Sequence, residues 1–185
     1  MSSLLKGVNL YLIGMMGAGK TTVGQEIARE LGYSFVDTDA VIAQFTQKSI
    51  AQLFAEVGEG EFRQIESKIL AEVCAYTNLA IATGGGIVTQ QKNWSYLRHG
   101  LIVWLDVPTD VLYQRLAEDT SRPLLQDADL LTKLQLILQE RRSLYKQADL
   151  HISISADETA SQIAARIITE IPTVLKPDPP PSSNA

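Results

Sequence analysis

Several residue types are scarce in this sequence of 185 residues. Cys74 is the single cysteine, so no disulfide can form within the chain, and the sequence suits a reducing compartment such as the cytoplasm. The two histidines, His99 and His151, stand far from each other and from Cys74, which argues against a zinc site. The apolar runs, such as residues 102–105, are far shorter than the roughly 20 residues that span a membrane.

Positive charge is also in the minority. Sixteen Lys and Arg residues face 21 Asp and Glu residues, which leaves a formal net charge of −5. Broad binding to nucleic acid needs a basic face, so we expect no nucleic-acid partner. The first residues lack the basic segment and the long apolar run of a secretory signal. No long apolar stripe points to a partner subunit, and we expect a cytoplasmic monomer.

Short apolar runs alternate with helical patterns along the chain. Strands are predicted at residues 8–13, 34–36, 79–83, 101–105 and 151–154. Helices are predicted at residues 21–31, 40–79 with a break at 57–60, 109–116, 130–146 and 159–170. This alternation predicts an α/β fold with a parallel sheet covered on both faces, whose ligands bind at the carboxyl ends of the strands.

The most specific motif is GMMGAGKT at residues 14–21, which matches the phosphate-loop pattern G-x-x-x-x-G-K-[ST] between a strand and a helix. Its glycines allow backbone N–H groups to surround an anion at a helix N-terminus. Lys20 can reach the β- and γ-phosphates of ATP, and the Thr21 hydroxyl can ligate Mg²⁺. The sequence lacks a guanine-binding pattern and is short for a motor, so a small-molecule kinase is the leading class.

Other polar and glycine residues have two interpretations each on sequence alone. Asp39 could cap the helix that begins near Ala40, or it could bind an acceptor hydroxyl. The run Gly84-Gly85-Gly86 could be a plain turn, or it could bring bare backbone against a substrate.

Arginine and aromatic side chains leave similar alternatives. Arg63 and Arg115 could lie on solvated helix faces, and Phe62 could be an ordinary core residue. Arg141 and Arg142 are adjacent, so they leave a helix about 100° apart and cannot share one face.

Taken in order, the segments of the chain resemble those of the shikimate kinase family. The resemblance spans about residues 8–170 and is carried by the segments GMMGAGKTT (14–22), FVDTD (35–39), GEGEFRQIE (58–66), ATGGG (82–86), RPLL (122–125) and RRSLY (141–145). It implies a P-loop kinase with a nucleoside-monophosphate-kinase-like fold and a five-stranded parallel sheet. The implied reaction transfers the γ-phosphate of ATP to the 3-hydroxyl of shikimate with Mg²⁺, in aromatic amino acid biosynthesis.

The resemblance also implies a division of the chain. A single domain would cover residues 1–171, with a substrate-binding segment at about 38–66 and a mobile lid at about 115–128. Residues 172–185 hold five of the seven prolines and are predicted to be a disordered tail.

Roles for individual residues follow from the same resemblance. Lys20, Asp39 and the lid residue Arg122 are the implied catalytic residues. The implied ATP site comprises Gly17, Ala18, Gly19, Lys20, Thr21, Thr22, Arg115 and Arg122. The implied shikimate site comprises Asp39, Phe62, Arg63, Gly84, Gly85, Gly86 and Arg141, with the two arginines on the ring carboxylate. Thr21 and Asp37 are the implied Mg²⁺ ligands.

Two other functions remain open at this point. A gluconate-type or nucleoside monophosphate kinase would have the same architecture. A non-catalytic ATP-binding module would be expected to lack Lys20, Asp39 or Arg122, and all three are present.

Overall fold

A computed structural model describes residues 4–118 and 129–175 of the chain. In chain order the elements are β1 (Leu10–Ile13), α1 (Lys20–Leu31), β2 (Ser34–Asp37), α2 (Thr38–Thr46), α3 (Ile50–Val73), β3 (Leu79–Ala82), a 3₁₀ turn (Ile87–Thr89), α4 (Gln91–Leu97), β4 (Leu101–Asp106), α5 (Thr109–Glu118), α6 (Leu130–Tyr145), β5 (Leu150–Ser153) and α7 (Ala160–Val174).

The five strands form one parallel sheet in the order β2-β3-β1-β4-β5. Every residue of β1 and β3 is buried, as expected for central strands whose two faces are both covered by helices. The predicted five-stranded parallel sheet is therefore confirmed. Since β1 lies between β3 and β4, the loop that follows β1 adjoins the loops that follow those two strands.

The helical region between β2 and β3 differs from the prediction of helix over residues 40–79 with one break at residues 57–60. It is divided into α2 and α3 near Ser49, whose side chain accepts from the backbone N–H of Gln52 in a capping box. The break predicted at residues 57–60 is a kink at Gly58, where φ is 76° inside α3. A serine followed by glutamine three residues later is a signal for the start of a helix, and the spacing of apolar residues does not reveal it.

Two further differences from the prediction concern α4 and the end of α7. Helix α4 was not predicted; it is held to the preceding turn because Asn93 and Trp94 donate side-chain hydrogen bonds to the carbonyls of Ile87 and Val88. Helix α7 continues through Pro172 to Val174, so the tail boundary predicted at residue 172 is too early.

Residues 176–185 lie outside the described part of the chain. Within residues 4–118 and 129–175, no helix has both the length and the apolar character needed to span a membrane.

Candidate active site

The phosphate loop connects β1 to α1 and places Lys20 at the start of the helix. Gly17 and Gly19 have φ values of 76° and 90°, a left-handed backbone that favours glycine. Lys20 is buried, and its Nζ donates to the carbonyl oxygens of Gly14 at 2.9 Å and Met15 at 2.7 Å. The loop and its lysine thus form one unit at the carboxyl end of a central strand.

Asp37 links the phosphate loop to the end of β2. Its Oδ2 accepts from the Thr21 hydroxyl at 2.6 Å, while its Oδ1 accepts from the backbone N–H groups of Asp39 at 2.9 Å and Ala40 at 3.4 Å. Asp37 is therefore the N-cap of α2. The capping alternative for Asp39 is wrong, because Asp37 holds that position and Asp39 lies in the first helical turn.

A buried cluster of charged side chains lies beside Asp39. Arg63 Nη1 donates to Glu66 Oε2 at 2.8 Å, and only 11% of the Arg63 side chain and 1% of the Glu66 side chain are exposed. Burial raises the pKa of Glu66; the positive charges of Arg63 and Arg141 oppose that rise, and the negative charge of Asp39 adds to it. Two basic and two acidic groups from α2, α3 and α6 therefore influence one another electrostatically.

The three glycines after β3 pack directly between this cluster and the phosphate loop. A Cβ atom on Gly84 would lie 2.5 Å from Glu66 Oε1 and 3.0 Å from Asp39 Oδ1, and one on Gly86 would collide with the Arg63 guanidinium. A Cβ atom on Gly85 would lie 3.3 Å from the Gly14 carbonyl oxygen and from the Met16 nitrogen. None of the three has a positive φ. Close approach of neighbouring groups, rather than turn conformation, thus requires glycine here.

Comparison with known proteins identifies the family. The family model described as shikimate kinase matches residues 16–172. The chain belongs to the shikimate kinase family.

Similar proteins in this family cover nearly the whole chain. A shikimate kinase of Nostoc punctiforme is 67% identical over 177 residues, which are 96% of this chain and 98% of the relative. One of Thermosynechococcus vestitus is 52% identical over 176 residues, which are 95% of this chain and 96% of the relative.

Solved structures give the same result. A shikimate kinase from Acinetobacter baumannii in complex with shikimate superposes with a TM-score of 0.83 and 36% identity, covering 94% of this chain and 97% of that one. A gluconokinase from Sinorhizobium meliloti, at 16% identity and a TM-score of 0.57, shares the fold alone.

The remaining arginines predicted for a shikimate kinase site fall in different places. Arg115 lies near the phosphate loop, with Nη1 donating to the carbonyls of Gly17 and Ala18 at 3.4 Å, so the fully solvated alternative is wrong. Arg141 is half-buried and belongs to the charged cluster around Glu66, whereas Arg142 is exposed and contacts Asp106 at 3.4 Å. Arg122 and residues 119–128 of the predicted lid lie outside the described residues.

Phe62 combines both interpretations of its role. Its ring is buried, with its centroid 5.1 Å from that of Phe54, so it is a core aromatic residue. The Arg63 guanidinium also lies 5.3 Å from the centre of the Phe62 ring. The Phe62 ring is therefore both a core residue and a support for the Arg63 guanidinium.

Glu66 and Tyr145 lie in the family segments 58–66 and 141–145, but the sequence assigns a role to neither. The position of Glu66 three residues after Arg63 on a helix is a signal that could have suggested the ion pair. The Tyr145 hydroxyl donates to the carbonyl oxygen of Gly85 at 2.6 Å, a contact between residues 60 positions apart. No local pattern of the sequence indicates that contact.

A second unpredicted group of contacts lies after β5. Arg166 of α7 donates to the Ser153 carbonyl at 2.6 Å, and its Nη1 lies 3.1 Å from Glu158 Oε1. Glu158 in turn accepts from the Ser155 backbone N–H at 2.8 Å. This arginine stabilises the loop between β5 and α7.

Proposed function

We propose that this chain transfers the γ-phosphate of ATP to the 3-hydroxyl of shikimate, giving ADP and shikimate 3-phosphate. One observation carries the proposal: the glycine run 84–86 contacts the phosphate loop on one side and the Asp39, Arg63 and Glu66 cluster on the other. A nucleotide on the loop and a small acid on the cluster would therefore lie side by side. Such juxtaposition supplies much of the catalysis in phosphoryl transfer.

The donor half of the site is the phosphate loop. Lys20 is proposed to bind the β- and γ-phosphates and to stabilise the charge that develops during transfer. The backbone of Gly17, Ala18 and Gly19, together with Thr22, is proposed to hold the other phosphate oxygens. Arg115, which already lies at this loop, is proposed to contact the adenine base.

The Thr21 and Asp37 oxygens fit a Mg²⁺ ion. A hydroxyl and a carboxylate that lie 2.6 Å apart are hard oxygen ligands close to the phosphate loop. Mg²⁺ commonly uses one or two protein oxygens and completes its shell with water and substrate phosphates. Among the described residues no group of three or more His, Cys, Asp and Glu residues could hold a metal. When bound, the ion neutralises phosphate charge.

The acceptor half is proposed to bind the ring acid through charge and shape. Planar guanidinium groups suit a carboxylate, so Arg63 and Arg141 would bind that of shikimate. Asp39 would orient the 3-hydroxyl and can accept its proton as the new oxygen–phosphorus bond forms and the bond to ADP breaks. Phe62 would support Arg63, and Gly84, Gly85 and Gly86 would allow close approach. Asp39, Phe62 and Arg63 lie in the proposed substrate-binding segment at 38–66. The three glycines and Arg141 would complete the acceptor site from outside that segment.

Closure of the proposed lid at residues 115–128 would exclude water and bring Arg122 to the transferring phosphate. Exclusion of water matters because an open site would hydrolyse ATP. This part of the proposal is supported by the family resemblance of residues 122–125.

The location, oligomeric state, pathway and partners of the protein are part of the same proposal. We propose a cytoplasmic monomer that takes part in aromatic amino acid biosynthesis, with ATP and shikimate as its partners and neither nucleic acid nor membrane as a partner. The formal charge of −5 supports the absence of a nucleic-acid partner.

A coupled assay of ADP release tests the proposed function. The purified chain is incubated with Mg-ATP and either shikimate, gluconate or a nucleoside monophosphate, and phosphorus NMR identifies the product. We expect turnover with shikimate and formation of a single phosphate monoester at the 3-position. Turnover with another acceptor but not with shikimate would contradict the proposal, as would nucleotide binding by calorimetry without any turnover.

A further inference from the structure

Tyr145, the last residue of α6, is fully buried where three parts of the fold meet. Its hydroxyl donates to the Gly85 carbonyl at 2.6 Å and lies 3.8 Å from the sulfur of Met15 in the phosphate loop. Its ring stacks against Trp104 of β4, with centroids 5.7 Å apart. The side chain therefore contacts both loops that would hold the two substrates.

The position of Tyr145 on its helix adds a third connection. Arg141 precedes it by four residues, so the two side chains lie on the same face of α6. Burial raises the pKa of Tyr145, and the nearby charge of Arg141 lowers it only in part, so the phenol is neutral and can donate. The hydrogen bond from Tyr145 to Gly85 thus also connects the helix that carries Arg141 to the glycine run.

Gly85 is the point at which the donor and acceptor loops contact each other. Its Cα lies so close to the Gly14 carbonyl and the Met16 nitrogen that an added Cβ would be 3.3 Å from both. A shift of the Gly85 peptide would change the separation between the phosphate loop and the acceptor cluster. Misplacement of reacting groups by about 1 Å can cost a hundredfold in rate.

We propose that Tyr145 is a positioning residue, whose hydroxyl holds the Gly85 peptide so that the phosphate loop and the acceptor site keep the separation required for transfer. The contacts of its hydroxyl are with the Gly85 carbonyl and the Met15 sulfur, so the role assigned to it is positioning rather than catalysis. The inference rests on the proposed function, because it assumes that the acceptor binds beside the glycine run. It predicts a loss in the transfer step rather than in binding, since the groups that contact each substrate remain in place.

Tyr11 provides a matched control. It is equally buried, and its hydroxyl hydrogen-bonds to Cys74 Sγ at 3.0 Å, away from the glycine run and the phosphate loop. Tyr11→Phe and Tyr145→Phe both remove one buried hydroxyl and keep the ring. If Tyr145 had only a packing role, the two variants would behave alike.

The experiment measures kcat, both KM values and Tm for the wild type, Y145F and Y11F. A net hydrogen bond of about 1 kcal/mol corresponds to roughly fivefold, so we expect Y145F to lower kcat about five- to tenfold while both KM values stay within about twofold. Y11F should keep the wild-type kcat and KM, with a decrease in Tm similar to that of Y145F.

The results separate the inference from the function on which it rests. Wild-type turnover with shikimate establishes the function independently of either variant. A Y145F kcat equal to that of Y11F would overturn the positioning role, as would an unchanged kcat with raised KM values. Absence of wild-type turnover with shikimate would instead overturn the proposed function.

Discussion

Substitution of Gly86 by alanine tests the proposed role of Arg63 through a steric effect alone. Gly86 has φ −94° and ψ 2°, which an alanine can adopt, so no backbone strain is introduced. The added Cβ would occupy the space of the Arg63 guanidinium, which is paired with Glu66 at 2.8 Å. The arginine must move, and its flexible stem allows it to do so without unfolding the chain.

The magnitude follows from the contacts that Arg63 would lose. A hydrogen bond to a charged group contributes about 1.5–3 kcal/mol, so displacing Arg63 from the acceptor carboxylate should raise the shikimate KM about tenfold to a hundredfold. Overpacking of a well-packed site costs about 1–3 kcal/mol, which we expect as the loss in free energy of unfolding. The KM for ATP should change little, because Gly86 does not contact the phosphate loop in the way that Gly85 does.

Gly60→Ala is the control for this prediction. Gly60 is exposed on α3, and an added Cβ would meet no atom within 4 Å. Alanine favours a helix by about 1 kcal/mol over glycine, so this variant should be at least as stable as the wild type and kinetically unchanged. The coupled assay with varied shikimate, together with urea unfolding, compares the two variants. A folded G86A protein with a wild-type shikimate KM would refute the role of Arg63.

The remaining predictions concern three charged residues of the site. Asp39→Asn should lower kcat about a hundredfold or more, whereas calorimetry should show nearly normal Mg-ADP binding; wild-type turnover would exclude the orienting role. Lys20→Ala should lower kcat about a hundred- to a thousandfold, and near-normal rates would contradict the assignment of the phosphate loop. The raised pKa of Glu66 means that the folded state retains its proton when the unfolded state has lost it, so this group lowers stability as pH rises above the ordinary value of 4.5. Urea unfolding should therefore show that the free energy of unfolding of Glu66→Gln increases relative to that of the wild type as the pH rises above 4.5. If the difference in free energy between the two proteins did not depend on pH, the raised pKa of Glu66 would be contradicted.

Much of the fold was predictable because its signals are local. The phosphate loop has a fixed spacing, and the apolar runs have strand length, so the five strands and the first, fifth and sixth helices were located within a few residues. Helix boundaries were less accurate where a cap rather than apolar spacing decides them, as at Ser49, and α4 depends on side-chain contacts with the preceding turn. The end of α7 differs from the prediction because Pro172, a residue typical of loops, lies inside its last turn.

By itself, the pattern of residues along the chain determined the phosphate-loop motif and the parallel α/β class. Its ordered segments also indicated the shikimate kinase family, to which the chain belongs. The hydrogen bond from Thr21 to Asp37, the burial of the Arg63–Glu66 ion pair and the hydrogen bond from Tyr145 to Gly85 were decided only by the tertiary structure. The physical reason is distance along the chain. A motif is read from neighbouring residues, but the energy of a buried charge or hydroxyl depends on groups that only the folded sheet and helices bring within 3 Å.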